Sequence, residues 1–210
     1  ALPIYTDSRI FAKLIATPLK GLTLNAEFTY DHLNYNVTNF TKRVVYANAD
    51  KFSEDSTGDN STYYRNKEMT NYTALNIYGT YNKVFSEKHN FTVMLGYNLE
   101  NSYKEGLSVT ASEMINDELP SISQSVGEKK PDDSFNEFSI LGFFGRLNYT
   151  YKERYLLELS GRADASSKFP RGSRWGFFPS ASVGWRIMEE PFMESLREYI
   201  PEFKIRASYG

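Results

Sequence analysis

The chain has 210 residues, a formal net charge of −2, no cysteine and 16% aromatic residues. The lack of cysteine excludes a disulfide scaffold, thiolate metal sites and a cysteine nucleophile, and the balanced charge argues against a nucleic-acid surface. No apolar run approaches the roughly 18 residues of a membrane-spanning helix, which excludes a helical membrane protein. Tyr, Phe and Thr are strand formers, so the 16 Tyr and 15 Phe indicate an all-β protein.

Alternation of apolar and polar residues predicts about eight strands. Each of the clear strands has two unlike faces. In the sixth, Leu157 and Leu159 alternate with Glu158 and Ser160. The first, third and fifth strands alternate less regularly. In chain order, the predicted strands span residues 9–17, 22–31, 72–84, 90–100, 138–151, 154–164, 177–187 and 203–210.

The connections between the predicted strands are of two kinds. Short turns at residues 18–21, 86–90 and 152–154 alternate with long polar stretches at residues 36–71 and 103–137. A compact soluble domain seldom carries structureless loops longer than about 15 residues, whereas a transmembrane β-barrel has short periplasmic turns and long outer loops. Alternation alone fits a soluble β-sandwich equally well. Strand length and loop asymmetry favour the barrel.

The distribution of charged and aromatic residues also fits a barrel wall. A lysine or arginine on the lipid face at mid-bilayer costs about 2–4 kcal/mol, and the apolar rows of the clear strands carry no charge. Lys83 falls in a weaker apolar row near a turn, where we expect its stem to reach the interface. Aromatic residues beside the short turns predict a girdle at one bilayer surface: Tyr81, Phe85, Phe91, Tyr149, Tyr151 and Tyr155.

From residue 138 onward the chain contains a series of distinctive motifs. They are FFGRLNYTYKERYLLELSGRADASSKF, RWGFFPSASVGWRIMEEPFM and FKIRASYG, in this order. In these motifs the chain resembles the SusC/RagA family of TonB-dependent outer-membrane transporters from Bacteroidetes. Upstream, TPLKGLTLNAEFTYD is similar to the Lys-Gly-Leu hairpin of that family. Residues 40–137 show little of the family pattern.

The resemblance implies both a fold and a function. The fold would be all-β, an antiparallel up-and-down transmembrane β-barrel segment, with about eight strands of a barrel of about 22. Residues 1–210 would be a partial TonB-dependent receptor β-barrel domain that lacks the plug domain and the closing strands. The function would be import of oligosaccharides or peptides across the bacterial outer membrane, without enzymatic chemistry or a cofactor. The expected partners are a SusD-like surface lipoprotein, TonB acting through the plug, and outer-membrane lipid, but no nucleic acid.

Two groups of residues are candidates for a functional role. The first is a set of polar residues expected to face the lumen, where they would pair across strands, line the path of a solute or touch the plug: Arg146, Glu158, Arg162 and Arg186. The second is a distinctive outer loop: Asp164, Ser166, Ser167, Arg171, Arg174 and Trp175. Asp164 and the serine pair are expected to tie this loop to the barrel rim. The alternative places Asp164, Arg171 and Arg174 on a substrate or partner surface.

Three further features have simpler interpretations. Residues 189–202 carry Phe192, Leu196 and Ile200 at helical spacing, which predicts a short amphipathic helix against the barrel mouth or, alternatively, a periplasmic contact. The acidic stretch at residues 54–59 lacks the order of an EF-hand loop, so a solvated loop is expected. The two histidines have no partners at ligand spacing. We expect no metal site and find no catalytic motif.

A competing hypothesis is a soluble all-β carbohydrate-binding module, in which the abundant Tyr and Trp would stack on sugars. A hydrolase has only scattered acidic residues to support it. Both of these alternatives predict a protein that is stable without detergent, which distinguishes them from the barrel.

Overall fold

The computed structural model describes residues 2–43, 45–48, 53–56 and 61–210. Ten strands are present in this part of the chain, together with three short 3₁₀ helices at Ile122–Gln124, Ile187–Glu189 and Pro191–Leu196. None of the described helices is long and apolar enough to cross a membrane. The strands are β1 (Ile4–Leu19), β2 (Leu22–Thr41), β3 (Val45–Asn48), β4 (Ser53–Ser56), β5 (Thr62–Phe85), β6 (His89–Ser112), β7 (Lys129–Tyr151), β8 (Tyr155–Ser166), β9 (Trp175–Arg186) and β10 (Lys204–Tyr209).

Eight of these strands form a single antiparallel sheet in the order β1-β2-β5-β6-β7-β8-β9-β10, and β3 and β4 form a separate two-stranded hairpin. Apart from that hairpin, each strand pairs with the strands that precede and follow it in the sequence. The connectivity is therefore up-and-down. The predicted all-β, up-and-down class is confirmed, and all eight predicted strands are found in this sheet.

Four strands are much longer than the alternation predicted. β2 continues to Thr41, β5 begins at Thr62, β6 continues to Ser112 and β7 begins at Lys129. The prediction of structureless connections over residues 36–71 and 103–137 is therefore wrong for much of their length. The physical reason is that backbone pairing does not require an apolar face. Where both strand faces are polar, the period-2 pattern disappears although the hydrogen-bonded ladder continues.

The short turns have the geometry expected between neighbouring strands. Ser86 and Glu87 have φ values of 49° and 56°, and Lys152 and Glu153 have 50° and 57°. Two successive positive φ values define a type I′ turn, whose twist matches that of the flanking strands. Gly21 has a φ of 86°, and a methyl group there would overlap the backbone oxygen of Asn82. The chain therefore requires glycine at that turn.

The chain divides into two compact units. Unit 1 comprises Ala1–Ile10, Asp31–Tyr72 and Ser102–Glu137. It has a small apolar cluster of buried residues, Tyr63, Ala111 and Met114, against which Phe40 and Ile122 pack. The long polar connections and the outer parts of the extended strands belong to this unit.

Unit 2 comprises Phe11–Tyr30, Thr73–Asn101 and Phe138–Gly210. It includes the short turns and the strands with clear alternation. Its large apolar side chains are mostly exposed: Leu95 is 67% exposed, Phe177 74% and Val183 54%. A water-soluble monomer rarely exposes so extensive an apolar surface. Unit 2 therefore has a surface suited to contact with an apolar environment rather than with water.

The segment between β9 and β10 differs from the predicted amphipathic helix. It contains the 3₁₀ helices Ile187–Glu189 and Pro191–Leu196. The buried apolar side chains of this segment are Ile187 and Met188, not the predicted stripe. Phe192, Leu196 and Ile200 are 65%, 42% and 44% exposed. Short helices are thus present where a helix was predicted, but the residues that they bury differ from the predicted stripe.

Candidate functional site

The strand register separates the two sheet faces in unit 2. Glu158 of β8 lies opposite Asn148 of β7 and Ser182 of β9. Its neighbour Leu159 lies opposite Leu147 and Ala181. Directly opposed residues point to the same face of a sheet. The polar face and the apolar face predicted for residues 154–164 are therefore both continuous across β7, β8 and β9.

A hydrogen-bonded network occupies the polar face. Arg162 Nε donates to both carboxylate oxygens of Asp164 at 2.7 and 2.8 Å. Arg162 Nη2 donates to Asn98 Oδ1 at 3.2 Å, and Asn98 Nδ2 donates to Asn76 Oδ1 at 2.7 Å. Asn98 is only 4% exposed, so its amide depends on these partners. The network joins residues of β5, β6 and β8.

Arg162 reaches Asn98 across β7 because β7 has a glycine at the crossing point. Gly142 lies opposite Asp164 in the register. A methyl group at Gly142 would lie 2.5 Å from Asp164 Oδ1 and 2.8 Å from Arg162 Nη2. Both distances are too short for a carbon atom. The guanidinium group of Arg162 therefore lies in space that a side chain at position 142 would fill.

A second group of polar contacts lies between β1, β2 and β5. Lys13 Nζ is 2.8 Å from Glu27 Oε1. Tyr78 Oη donates to the same carboxylate oxygen at 3.2 Å. Polar side chains of β1, β2 and β5 thus pair with one another across strands, as those of β5, β6 and β8 do.

The four residues predicted to face the lumen lie on the polar face in different surroundings. Arg162 belongs to the network described above, and Arg186 Nη1 contacts Glu153 Oε2 in the neighbouring turn at 3.2 Å. Arg146 lies opposite Ser160, whereas Glu158 lies between Asn148 and Ser182 in the register. No contact between members of the set is found within the described part of the chain. Each therefore has its own local partner or faces open space.

Sequence reasoning missed several residues of the polar face. Asn76, Asn98 and Gly142 were not singled out, although Asn98 is the most buried residue of the network. Phe144 also lies on this face, opposite Arg162. Its ring would overlap a methyl group placed on Gly96. The sequence signal that could have revealed the packing of Phe144 on Gly96 was an aromatic residue on the polar face of one strand and a glycine on the same face of the adjacent strand.

The loop between β8 and β9, predicted above to be an outer loop, is held to β7 by its serines. The backbone N–H of Ser139 donates to Ser167 Oγ at 2.8 Å, and the Ser167 N–H donates to the Ser139 carbonyl at 2.9 Å. The Lys168 N–H donates to Ser166 Oγ at 3.3 Å. Asp164 instead pairs with Arg162. The serine contacts agree with a structural role for this pair, whereas Arg171, Arg174 and Trp175 have exposed side chains.

Aromatic residues form an almost continuous row beside the short turns. Successive ring centroids are 5.9 Å apart for Phe85 and Phe91, and 4.6 Å for Phe91 and Tyr149. Farther along the row, the ring centroid of Tyr155 lies 6.3 Å from that of Tyr151 and 6.4 Å from that of Trp185. His89 lies between, stacked on Tyr149 and 4.9 Å from Tyr151. Lys83 Nζ lies 4.5 Å from the ring centroid of Phe85, so its ammonium group points toward this row.

The nearest side-chain partners of the two histidines are oxygen atoms of neutral residues. His32 Nδ1 is 2.6 Å from Asn71 Oδ1, and His89 Nδ1 is 2.8 Å from Tyr149 Oη. Among the described residues, no three His, Asp or Glu side chains form a group that would hold a metal ion. The acidic stretch at residues 54–59 lies outside the residues whose side chains are described.

Glu190 connects the ends of β8 and β9. Its buried carboxylate accepts hydrogen bonds from Tyr155 Oη at 2.7 Å, Trp185 Nε1 at 3.0 Å and Arg154 Nη1 at 3.0 Å. The pKa of Glu190 is lowered, first by the Tyr155 hydroxyl, then by the Trp185 N–H and also by the positive charge of Arg154. The carboxylate of Glu190 thus fastens the segment that follows β9 to the adjoining ends of β8 and β9.

We expect Glu190→Gln to lower the melting temperature of the full-length protein at pH 7 and to remove part of its acid sensitivity. The pKa of Glu190 in the folded chain is below the ordinary value of 4.5. The carboxylate therefore stabilises the fold fully above about pH 4.5, and this contribution is lost as the pH falls through the lowered pKa. Thermal unfolding measured between pH 3 and 7 should show the difference between wild type and variant shrink below pH 4.5.

Glu189→Gln is the matched control. Glu189 is half-exposed, and its contact with Arg197 Nη2 is 3.5 Å long. We expect this variant to follow the wild-type pH dependence. If both variants behaved alike, the three hydrogen bonds to Glu190 would not stabilise the fold.

An up-and-down antiparallel sheet with an exposed apolar face and a hydrogen-bonded polar face defines a segment of a β-barrel wall. The family described as TonB dependent receptor-like, beta-barrel matches residues 4–210. The chain belongs to this family of TonB-dependent receptor β-barrels. The resemblance found in the sequence motifs is confirmed.

Relatives and solved structures agree with this assignment. TonB-dependent receptor P39 of Formosa agariphila is 30% identical over 210 residues, which is 97% of this chain and 19% of that protein. TonB-dependent receptor SusC of Bacteroides thetaiotaomicron is 40% identical over 72 residues, 34% of this chain and 7% of SusC. The structure of the RagAB peptide transporter superposes with a TM-score of 0.80 at 19% identity, covering 98% of this chain and 23% of that one. The chain thus spans about a fifth of the length of its longer-matching curated relatives.

Proposed function

We propose that this chain forms part of the wall of a SusC/RagA-type importer in the bacterial outer membrane. The observation that carries the proposal is the chemistry of the two faces in unit 2. One face exposes large apolar side chains such as Leu95, Phe177 and Val183, while the other holds charged and amide side chains. In a barrel, the first face contacts lipid and the second faces the lumen.

The spacing of aromatic residues supports this orientation. Trp175 and Trp185 lie at opposite ends of β9, ten residues apart. Ten residues extend roughly 33 Å along a strand, and a strand tilted by about 40° spans about 25 Å, the height of the apolar band in such barrels. Trp185 ends the aromatic row beside the short turns. At the other end, the ring centroid of Phe143 lies 6.2 Å from that of Trp175 and 5.4 Å from that of Tyr97.

The proposal extends to the domain and its partners. Residues 1–210 would belong to the barrel domain, with a plug domain elsewhere in the polypeptide through which TonB acts. The short turns would lie in the periplasm and the longer connections outside the cell. The relative named SusC and the neighbours described as the RagAB peptide importer support a role in nutrient import. A SusD-like lipoprotein would be the surface partner, and the substrate would be an oligosaccharide or a peptide.

The polar residues would then have distinct roles. Arg162 would hold neighbouring strands together through Asp164 and Asn98. Arg146 and Glu158, which lie opposite small or uncharged polar residues, would face the solute path or the plug. The protein would carry out transport without a cofactor or a catalytic residue.

Cell fractionation tests the proposal. We expect the peptide spanning residues 144–164 to be found, by mass spectrometry, in a polypeptide several times longer than this chain in the outer-membrane fraction. That polypeptide should change its gel mobility on boiling, as folded barrels do. A soluble species of the size of this chain, with no mobility change, would overturn the proposal and favour the carbohydrate-binding module.

A further inference from the structure

The apolar face of unit 2 contains a groove of about 360 Å³. Its floor is formed by three residues that lie side by side on neighbouring strands, Gly145, Gly161 and Pro179. Phe143 and Phe177 are among the residues that line it. A methyl group at Gly161 would have no atom within 4 Å, so the groove is open where that glycine lies. Its lining is almost entirely apolar.

A positively charged loop follows the same strands at one end. Lys168, Arg171 and Arg174 lie between β8 and β9, and no acidic residue occurs between Asp164 and Glu189. All three side chains are exposed. Arg174 Nε donates to the carbonyl of Phe169 at 3.1 Å, which holds that guanidinium group at the loop. The loop therefore presents cations that are not neutralised by nearby acids in the sequence.

The distance between groove and loop matches half a bilayer. Ser166 lies five positions after Gly161 in β8, and Trp175 lies four positions before Pro179 in β9. At about 3.3 Å per residue, these segments extend roughly 13–17 Å along the strands, or about 10–13 Å along the membrane normal at a tilt of about 40°. Half of the apolar band of such barrels is about 12–13 Å high. A molecule with an acyl chain in the groove would therefore place its polar head beside the loop.

We propose that the groove and the loop together bind one membrane lipid whose phosphate gives it a net negative charge, with an acyl chain along Gly145, Gly161 and Pro179 and the phosphate against Arg171 and Arg174. Charge complementarity selects a head group whose phosphate is not balanced by a cation of its own, since a net neutral head gains little from two arginines. The apolar lining selects the acyl chain, because Arg162, the one polar side chain among the lining residues, donates to Asp164 and Asn98 on the other face. The inference rests on the proposed membrane location of this face.

Native mass spectrometry of the full-length protein tests the lipid site. The delipidated protein in detergent is incubated separately with dimyristoylphosphatidylglycerol and with dimyristoylphosphatidylcholine, and retained lipids are counted. We expect wild type to retain phosphatidylglycerol in preference to phosphatidylcholine. The double variant Arg171→Gln, Arg174→Gln should bind phosphatidylglycerol about fivefold more weakly, the change that corresponds to about 1 kcal/mol for two exposed charge contacts.

Two further variants separate the groove from the charge. Gly161→Leu adds a bulky side chain to the groove, with a Cβ that would have no atom within 4 Å, and should reduce retention of both lipids. The double variant Lys20→Gln, Lys88→Gln removes the same charge from the short turns and should behave as wild type. Equal retention of the two lipids by wild type, or unchanged retention by the arginine variant, would overturn the inference. If those results came from a protein that still changed its gel mobility on boiling, the proposed function would stand and only the lipid site would fail.

Discussion

Replacing Leu159 with arginine should destabilise the assembled barrel by about 2–4 kcal/mol, the cost of a cation on the lipid face at mid-bilayer. Leu159 lies opposite Ala181, which is near the middle of the interval between Trp175 and Trp185. A charge introduced there would be far from both interfaces. Guanidinium unfolding of the full-length protein in lipid vesicles, followed by tryptophan fluorescence, measures the change.

The depth and the face of the substitution give two internal controls. Leu157→Arg should cost less, because Leu157 lies only two residues from Tyr155 in the aromatic row, where the arginine stem reaches the interface. Glu158→Arg lies between these positions in sequence but on the polar face, and it should be much milder than either. Equal tolerance of Leu159→Arg and Glu158→Arg would show that the faces are assigned incorrectly.

Gly96→Ala should destabilise the barrel by about 1–3 kcal/mol, the usual cost of inserting a carbon into packed structure. The added methyl group would overlap the ring of Phe144 and lie 2.8 Å from Cβ of Tyr78. The rings of Phe144 and Tyr78 are 6.5 Å apart, so movement of Phe144 is limited on that side. The same unfolding experiment measures the loss.

Gly161→Ala is the matched control for this substitution. It makes the same chemical change in a neighbouring part of the sheet, but its methyl group would have no atom within 4 Å. Effects on the unfolded chain and on strand propensity are shared by the two variants. The difference in free energy of unfolding therefore isolates the packing of Phe144 on Gly96. If the two variants were equally stable, that packing would contribute nothing.

The sequence predicted the strands of unit 2 well because one of their faces is apolar. Along β2, for example, Leu22 and Leu24 begin an apolar row that ends at Tyr30, and the part of β2 that belongs to unit 2 ends at the same residue. His32 and Asn34 continue the same row as polar residues. Beyond Tyr30 the alternation no longer distinguishes a strand from a loop, which is why the extended parts of β2, β5, β6 and β7 were missed.

The contacts of the polar face could not be predicted in the same way. The sequence indicated that Arg162 would face the lumen, but its link to Asn98 depends on the alignment of three strands and on the absence of a side chain at Gly142. Glu190 was read as part of an amphipathic segment, although its role depends on donors from β8 and β9. In both cases the information lies in the register, which a periodic pattern leaves undetermined.

The gap at Gly142 has a consequence for how the wall is assembled. During folding, a slip of β7 by one residue against β8 would exchange its two faces and bring apolar side chains to the lumen. A slip by two residues would keep every side chain on its proper face, so the alternation cannot oppose it. Such a slip would place Ile140 or Phe144 where Gly142 now leaves room for Arg162. Gly142 therefore helps to select the correct register, because the guanidinium group of Arg162 fits only when β7 and β8 are paired as observed.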